Sequence, residues 1–429
     1  MKRLAVALLV CLVTLGCSEV DRLRLKAHLG GVDSQLVLAN RYAKGNGVAK
    51  DEEAAFGWYV KAAESGHPAA QRVVGMRQLI GLGTGQDLSS GLDWLHKAEE
   101  HGDLEAQFQL GRFYVGDQLG LGKLNQGIAL LERASDSGSV AAKSTLGLLY
   151  LEGKFGERSA AEIVAGYEKR AEAGEAYAQF MLGMLLTSGK AGKTEFGSAR
   201  AWLERAAEQD QQQALMYLGY LYSNGKGVES DMDRAIAFYE RAAEQSQSGA
   251  QHYLGEIYRD GNGVEVDLEK SAELFRKAAE QGMVPSQKAL ALMYMAGAGV
   301  PEDLGEAAHW YRQAAAQGDA DAQHNLGAMY AYGKGVPKDP GRAVELYGLA
   351  ATQGHALALT KLGVVYLLGE GVDVDPVKAF MWFELARAED PVAQDAMHQL
   401  QPDLTPEQIT EAQRLASEWR ARYGGAAGW

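Results

Sequence analysis

Two sets of residues in this 429-residue chain have types and spacings that chemistry uses. The first is Ser188 to Gly197, SGKAGKTEFG, which contains a Gly-Lys-Thr. A phosphate-binding loop needs Gly-x-x-x-x-Gly-Lys-Ser/Thr between a buried strand and a helix. Backbone amides then cradle the phosphate while the lysine reaches its outer oxygens. Thr187 stands where the first glycine belongs, so the pattern is broken. The second set is nine histidines: His28, His67, His96, His101, His252, His309, His324, His355 and His398. They form no His-Glu-x-x-His, and no His or Cys pair has metal-ligand spacing. No Gly-x-Ser-x-Gly elbow occurs. Acidic residues are many, but they sit mostly at helix ends and on solvent faces, and nothing selects a glycosidase pair. The expectation is a protein with no catalytic residues, no metal site, no nucleotide and no cofactor.

The bulk properties bound the class of protein. The chain is 47% hydrophobic and 23% charged, the composition of an ordered soluble protein. Its formal charge of -14 argues against a nucleic-acid partner, which would meet a surplus of Lys and Arg. Residues 1–17, MKRLAVALLVCLVTLGC, stand apart. Lys2 and Arg3 precede an apolar run from Leu4 to Leu15, too short to span a bilayer and suited to a secretory signal. The run ends in Gly16-Cys17-Ser18, which resembles the bacterial lipoprotein box, although Thr14 rather than Leu lies three residues before the cysteine. That resemblance implies cleavage before Cys17, its lipidation with an acyl (palmitate) anchor, and an outer-membrane protein facing the periplasm. Cys11 and Cys17 are the only cysteines, so the exported chain has no internal disulfide.

The dominant pattern is a period of 36. Leu-Gly pairs recur at Leu110-Gly111, Leu146-Gly147, Leu182-Gly183, Leu218-Gly219, Leu254-Gly255, Leu326-Gly327 and Leu362-Gly363, and Leu290-Ala291 fills the gap. Val74-Gly75 and Leu38-Ala39 extend the series backward, which makes ten units. The best-formed unit runs from Ala322 to Gly354. A first amphipathic segment is followed by Gly333-Lys334-Gly335-Val336, and glycine tolerates the left-handed backbone of such a turn. Asp339 then reads as an N-cap with Pro340 at the first helical position. Asp51, Asp231, Asp267, Asp303 and Asp375 recur in the same phase. Each unit is thus a helical hairpin, and a hairpin buries its apolar face only by stacking on others. The fold class is all-α, a right-handed superhelical solenoid of about ten 36-residue repeats. The domains read as a leader at 1–17, an N-terminal linker or cap at 18–33, a solenoid at 34–390 and capping helices at 391–429. In the last, Thr405, Pro406 and Gln408 form a capping-box pattern, and Ile409, Ala412, Leu415, Ala416 and Trp419 make one stripe. In this frame GKAGKT is the worn inter-helix turn of repeat five, because Gly189 follows Gly183 as Gly333 follows Gly327. Repeats two to five carry the worn turns, GLGTGQD among them. His252 and His324 share one slot two repeats apart and read as part of a solvated face.

AQHYLGEIYRDGNGVEVD and AAHWYRQAAAQG resemble the SEL-like repeat family, a branch of the tetratricopeptide superfamily. The resemblance covers most of the chain beyond the leader. It implies protein–protein interaction rather than catalysis.

A partner would use positions that the repeat leaves variable. With the Leu-Gly glycine as zero, positions −5, −1, 0 and +3 cluster on one side of the first helix, and −3, +1 and +4 fall roughly opposite. That second stripe is richer in apolar and aromatic residues than a solvent face: Phe108, Arg112, Phe180, Met184, Met216, Tyr220, Glu256 and Arg259 belong to it. It is the expected protein-binding surface, read as a groove; lateral packing between neighbouring first helices is the competing reading. Three functions fit in descending order. The first is a non-catalytic envelope scaffold that assists assembly of an envelope or secretion complex, for which an alginate-export lipoprotein of the family is the precedent. The second is a periplasmic immunity protein that neutralises a type VI secretion effector. The third, weakest for want of cysteine pairs, is a β-lactamase-like enzyme.

Overall fold

The computed structural model of the protein describes residues 18–116, 122–190 and 194–427. Cys17 and its leader lie outside the described residues, as do residues 191–193 of the Gly-Lys-Thr stretch. All regular structure among the described residues is helical. After α1 (Glu19–His28) come ten hairpins. Their helices are α2 (Val32–Lys44), α3 (Glu52–Glu64), α4 (Pro68–Ile80), α5 (Leu88–Glu100), α6 (Leu104–Gly116), α7 (Leu124–Asp136), α8 (Val140–Leu151), α9 (Ala160–Glu172), α10 (Ala176–Ser188), α11 (Phe196–Glu208), α12 (Gln212–Asn224), α13 (Met232–Glu244), α14 (Ser248–Asp260), α15 (Leu268–Glu280), α16 (Val284–Ala296), α17 (Leu304–Ala316), α18 (Ala320–Tyr332), α19 (Pro340–Ala351), α20 (Ala356–Leu368) and α21 (Pro376–Ala386). α22 (Pro391–Leu400), a 3₁₀ turn (Gln401–Asp403) and α23 (Pro406–Ala427) complete the chain. Two compact units result: residues 1–174 with 181–199, and residues 175–180 with 200–429.

One close contact recurs within six of the hairpins. In the second unit, a Cβ added to Gly219, Gly255, Gly327 or Gly363 would lie 2.4–2.9 Å from a ring carbon of Tyr239, Phe275, Tyr347 or Phe383. Each ring is twenty residues further on, in the second helix. In the first unit Gly75 and Gly111 stand in the same relation to Leu95 and Leu131, at 2.9 and 2.7 Å. The missing side chain lets the second helix press its largest apolar group onto the first helix's backbone, and Phe275 and Phe383 are fully buried. Burying such a ring contributes about 1.5–3 kcal/mol.

The turn between the helices makes the contact with the previous repeat. Gly299 and Gly335 have φ of +71°, and a Cβ on either would lie 2.0 Å from the carbonyl oxygen of Leu268 or Leu304 in the preceding second helix. Glycine is needed there both for its backbone angle and for the close approach. The aspartates that follow cap as expected: the carboxylates of Asp51, Asp231, Asp267, Asp303, Asp339 and Asp375 each accept from an amide of the next turn. Repeat two, whose GLGTGQD reads as worn, has the full turn. Gly81 (φ +72°) ends α4, Gly83 (φ +71°) meets the Glu52 carbonyl, and Asp87 caps α5. The glycines and the cap define this turn; the valine is dispensable.

A buried glutamine joins three helices at a time. A glutamine lies four residues before the Leu-Gly glycine as Gln35, Gln71, Gln179, Gln251, Gln287 and Gln323, all buried, and as the half-buried Gln107, with Lys143, Leu215 and Leu359 in the remaining repeats. In the second unit the amides of Gln251, Gln287 and Gln323 donate to the carbonyls of Ala243, Ala279 and Ala315, near the end of the preceding second helix, at 3.1–3.4 Å. Their oxygens accept from Gln281, Gln317 and Gln353, just beyond the second helix of the same repeat, at 2.7–3.0 Å. In the first unit Gln71 donates to Ala63 (3.1 Å) and its oxygen lies 2.8 Å from His101 Nδ1. Gln35 reaches back to the Ala27 carbonyl of α1 (3.1 Å), which ties that helix to the first hairpin.

At the other end α23 starts with the expected box: the Thr405 amide donates to Gln408 Oε1 (2.9 Å) and the Gln408 amide to Thr405 Oγ1 (3.3 Å). Ala412 and Ala416 are fully buried, Trp419 meets Trp382 edge-on at 4.7 Å, and Arg420 donates to the Glu384 carbonyl (3.0 Å). The helix therefore covers the last hairpin.

Two substitutions test this architecture. Gly255→Leu drives a side chain into the Phe275 ring and is expected to destabilise the fold by about 3 kcal/mol or more, read as a lower melting temperature; an unchanged melting temperature contradicts the packing role. Gln287→Leu removes the shared partner of Ala279 and Gln317 and is expected to cost about 1–3 kcal/mol in a urea titration. A midpoint equal to wild type would show the amide to be dispensable.

Candidate functional site

The expected binding stripe is divided between the two units and serves two purposes. In the first unit Phe108 is 8% exposed and belongs to the core, with the Arg112 guanidinium 5.6 Å above its ring. Arg112 itself is exposed, and Met184 is half-buried. In the second unit Phe180, Met216 and Tyr220 are half-buried against the cluster formed around α12 to α14. On α14 Arg259 pairs with Asp260 (2.7 Å) and lies 3.7 Å from Glu256.

The −3 positions form a lateral seam. Met216 Cε would be 3.2 Å from a Cβ on Gly249 of the next first helix, His252 Nδ1 is 2.9 Å from Ser286 Oγ, and Lys288 Nζ pairs with Asp319 and Asp321 at 3.0 and 2.7 Å. Side chains here knit neighbouring first helices together. The +1 and +4 positions are mostly half-buried, and Tyr220, Ser223 and Glu256 among them line a cleft.

That cleft, of about 630 Å³, lies in the second unit. Tyr220 and Ser223 of α12 line one side, and Tyr253, Glu256 and Asp260 of α14 the other. Tyr239 of α13 closes the back. It stacks on Tyr253 with centroids 5.5 Å apart and planes 21° apart, and burial pushes its hydroxyl up to about 12. Lys226 donates to the Tyr220 hydroxyl. Asn224 and Asn262 add amides at the rim. Of the expected residues the cleft gathers Tyr220 and Glu256. Tyr253, Asp260, Asn224 and Asn262 are additions, and Tyr253 carried a legible signal as an aromatic outside the core positions. A second cleft of about 260 Å³ follows, walled by Leu292, Tyr311, His324, Asn325, His355 and Leu357 with others. Aromatic faces, amides and carboxylates of this kind bind by stacking and hydrogen bonding.

The histidines depart from expectation. His252 and His324 are not solvated: His252 packs 5.4 Å from the Phe275 ring, and His324 stacks on His355 at 4.9 Å and lies 5.8 Å from Tyr347. Burial holds both imidazoles below their ordinary range. At His252 Glu256 opposes the shift, and at His324 the neighbouring His355 reinforces it. Among the described residues no group of three or more His, Cys, Asp or Glu is placed to hold a metal ion. Gly189 has φ of +68° and follows a helix, α10, not a strand.

Stacked helical hairpins with capped glycine turns define a tetratricopeptide-like repeat protein. The Sel1 repeat model matches residues 32–67, 68–103, 104–139, 176–211, 212–247, 248–283, 284–319, 320–355 and 356–390. The chain belongs to the Sel1 repeat family, whose members are generally non-catalytic scaffolds for protein interaction. Among solved structures it is similar to a protective antigen present in uropathogenic Escherichia coli strains, which displays an SLR fold. Identity is 30%, the TM-score is 0.56, and the match covers 95% of this chain and 88% of that one. It is also similar to a Sel1 repeat protein from Oxalobacter formigenes (28% identity, TM-score 0.42, 82% and 91% covered) and to an immunity protein from Pseudomonas aeruginosa (20%, 0.28, 55% and 81%). Among curated proteins none matches the chain. Among the described residues no helix is long and apolar enough to cross a membrane.

The buried imidazoles set a pH dependence. An unfolded chain takes up protons at these histidines near pH 6.5, while the folded chain resists until lower pH. Stability is therefore lost as pH falls through that window. Replacing both His252 and His324 with Gln is expected to flatten the decline between about pH 7 and 5 in denaturant titrations; an unchanged slope would assign the decline to other groups.

Proposed function

We propose that the protein is an envelope scaffold: a lipid-anchored, non-catalytic repeat protein that gathers the components of an envelope or secretion complex on its periplasmic side. The observation that supports the binding half is the cleft walled by Tyr220, Tyr253 and Tyr239, with Glu256 and Asp260 at its edge. Aromatic side chains with polar tips supply much of the energy of protein interfaces. The acidic edge suits a partner segment that is neutral or basic, as does the chain's charge of -14. The leader supports the location half, with Lys2 and Arg3, the apolar run and Gly16-Cys17. A relative that is a protective antigen is in keeping with export.

The test is a pull-down from detergent-solubilised envelopes, using the full-length protein, its Cys17→Ala form and a Tyr253→Ala, Glu256→Lys double variant. The expected result is several envelope components captured together, lost with Cys17→Ala and reduced about tenfold by the double variant at unchanged helix content. Capture of a single toxin-like protein irrespective of Cys17 would replace the scaffold reading with neutralisation of a secreted effector.

A further inference from the structure

In nine of the ten hairpins the second helix carries a large apolar residue nineteen positions after the Leu-Gly glycine or its alanine equivalent, immediately before the residue that stands where the packing ring does. It is Trp58, Trp94, Trp202, Phe238, Trp310 or Trp382 in six repeats and leucine in three. The fourth hairpin, which lies between matched repeats but is itself unmatched by the family model, has Gly166 there.

A glycine in a helix interior costs about 1 kcal/mol relative to alanine, and close approach of another backbone is the usual reason for it. Neither that reason nor any packing reason applies at Gly166, since a Cβ there would find nothing within 4 Å. The space is an open-mouthed cavity of about 260 Å³ among α7, α8 and α9, lined by Leu146, Tyr150, Ile163 and Tyr167 together with Arg158, Arg170 and Lys143 and the carboxylates of Glu132, Asp136 and Glu162. The equivalent position elsewhere indicates what the space accepts. Phe238 stacks on Tyr222 with centroids 5.8 Å apart and planes 15° apart. Tyr222 holds the same repeat position as Tyr150, so Tyr150 lacks the ring that its counterpart has. Phe155 of the turn lies 6.2 Å from Tyr150 but does not wall the cavity.

The walls are fixed in advance. The Tyr150 hydroxyl donates to Glu132 (2.8 Å), Glu132 is held by Arg158 (2.6 Å), and Tyr167 stands edge-on to Tyr150 at 6.2 Å. The Arg170 guanidinium is 5.7 Å above the Tyr167 ring. A preformed cavity with two tyrosine walls, bordered by charged side chains of both signs, suits an aromatic guest that carries neighbouring polar groups. Its volume is below the roughly 300 Å³ at which small-molecule pockets begin and matches one large side chain.

We propose that this cavity is the docking site for a tryptophan or phenylalanine side chain presented by a partner polypeptide, which completes the fourth repeat in trans. The inference does not depend on the envelope reading. A random peptide library displayed on phage is selected on the full-length protein, and the enriched peptides are titrated against Gly166→Trp and Gly166→Ala. The expected peptides contain Trp or Phe, bind Gly166→Ala within about threefold of wild type and bind Gly166→Trp at least about tenfold more weakly. Gly166→Trp, which fills the cavity from within, should also melt no lower than wild type. If that variant does not fold, Gly166→Leu takes its place, because three sister repeats carry leucine there. Peptides without an aromatic residue, equal affinity for the filled variant, or no enrichment would each overturn the proposal. So would saturable binding of N-acetyltryptophanamide alone with no peptide enriched, which would mark a site for a free aromatic molecule.

Discussion

An α-helix ends with carbonyl groups that its own amides cannot reach, and a stacked repeat must bury some of them. This chain meets that constraint with one side chain. In the repeats of Gln251, Gln287 and Gln323, the glutamine of the new first helix donates to a carbonyl near the end of the helix before it, then accepts from the residue that ends its own hairpin. A buried amide satisfied on both sides stabilises modestly, but one left unpaired costs more than it contributes when made. The bond therefore acts chiefly on geometry: it admits the register in which both partners are met and penalises others. The glycine–ring contact and the turn glycines depend on that register, because both tolerate little displacement.

The same constraint explains why the face opposite the core is neither core nor solvent. Neighbouring first helices lie close enough for the −3 side chains to meet, as His252 meets Ser286. One turn further along the helix, Tyr220 and Glu256 stand on either side of a cleft rather than in contact. Tyr239 and Tyr311, already fixed by the glycine and alanine they face, close this cleft and the second one at the back. Core packing and the candidate binding surface thus share residues, so substitutions at the cleft floor affect both.

Much of this was legible from residue order. The 36-residue period, the Leu-Gly glycines, the turn glycines and the aspartate caps are each local, and a single repeat displays them. The glutamine was visible as a letter of the pattern but not as a bond, because its partners lie eight residues back and thirty ahead. The helical wheel treated each first helix as an isolated cylinder, so Phe108, His252 and His324 appeared on an outer face that neighbouring helices in fact cover. Tyr253 stood outside the core set and lines the cleft. Gly166 is harder to notice, since its meaning lies in a side chain that nine equivalent positions possess and it does not.

The glutamine's bonds also bear on how such a chain can change in length. Where both bonds form, as at Gln251, Gln287 and Gln323, the donor bond reaches the preceding repeat and the acceptor bond stays within its own. Recombination that removes or duplicates a whole number of repeats therefore joins one second helix to another first helix through the same pair of bonds. An exchange displaced by a single residue would rotate the amide by about 100° around its helix and leave the carbonyl unmet. Protein length in this architecture is thus free to vary in steps of one repeat and constrained between them.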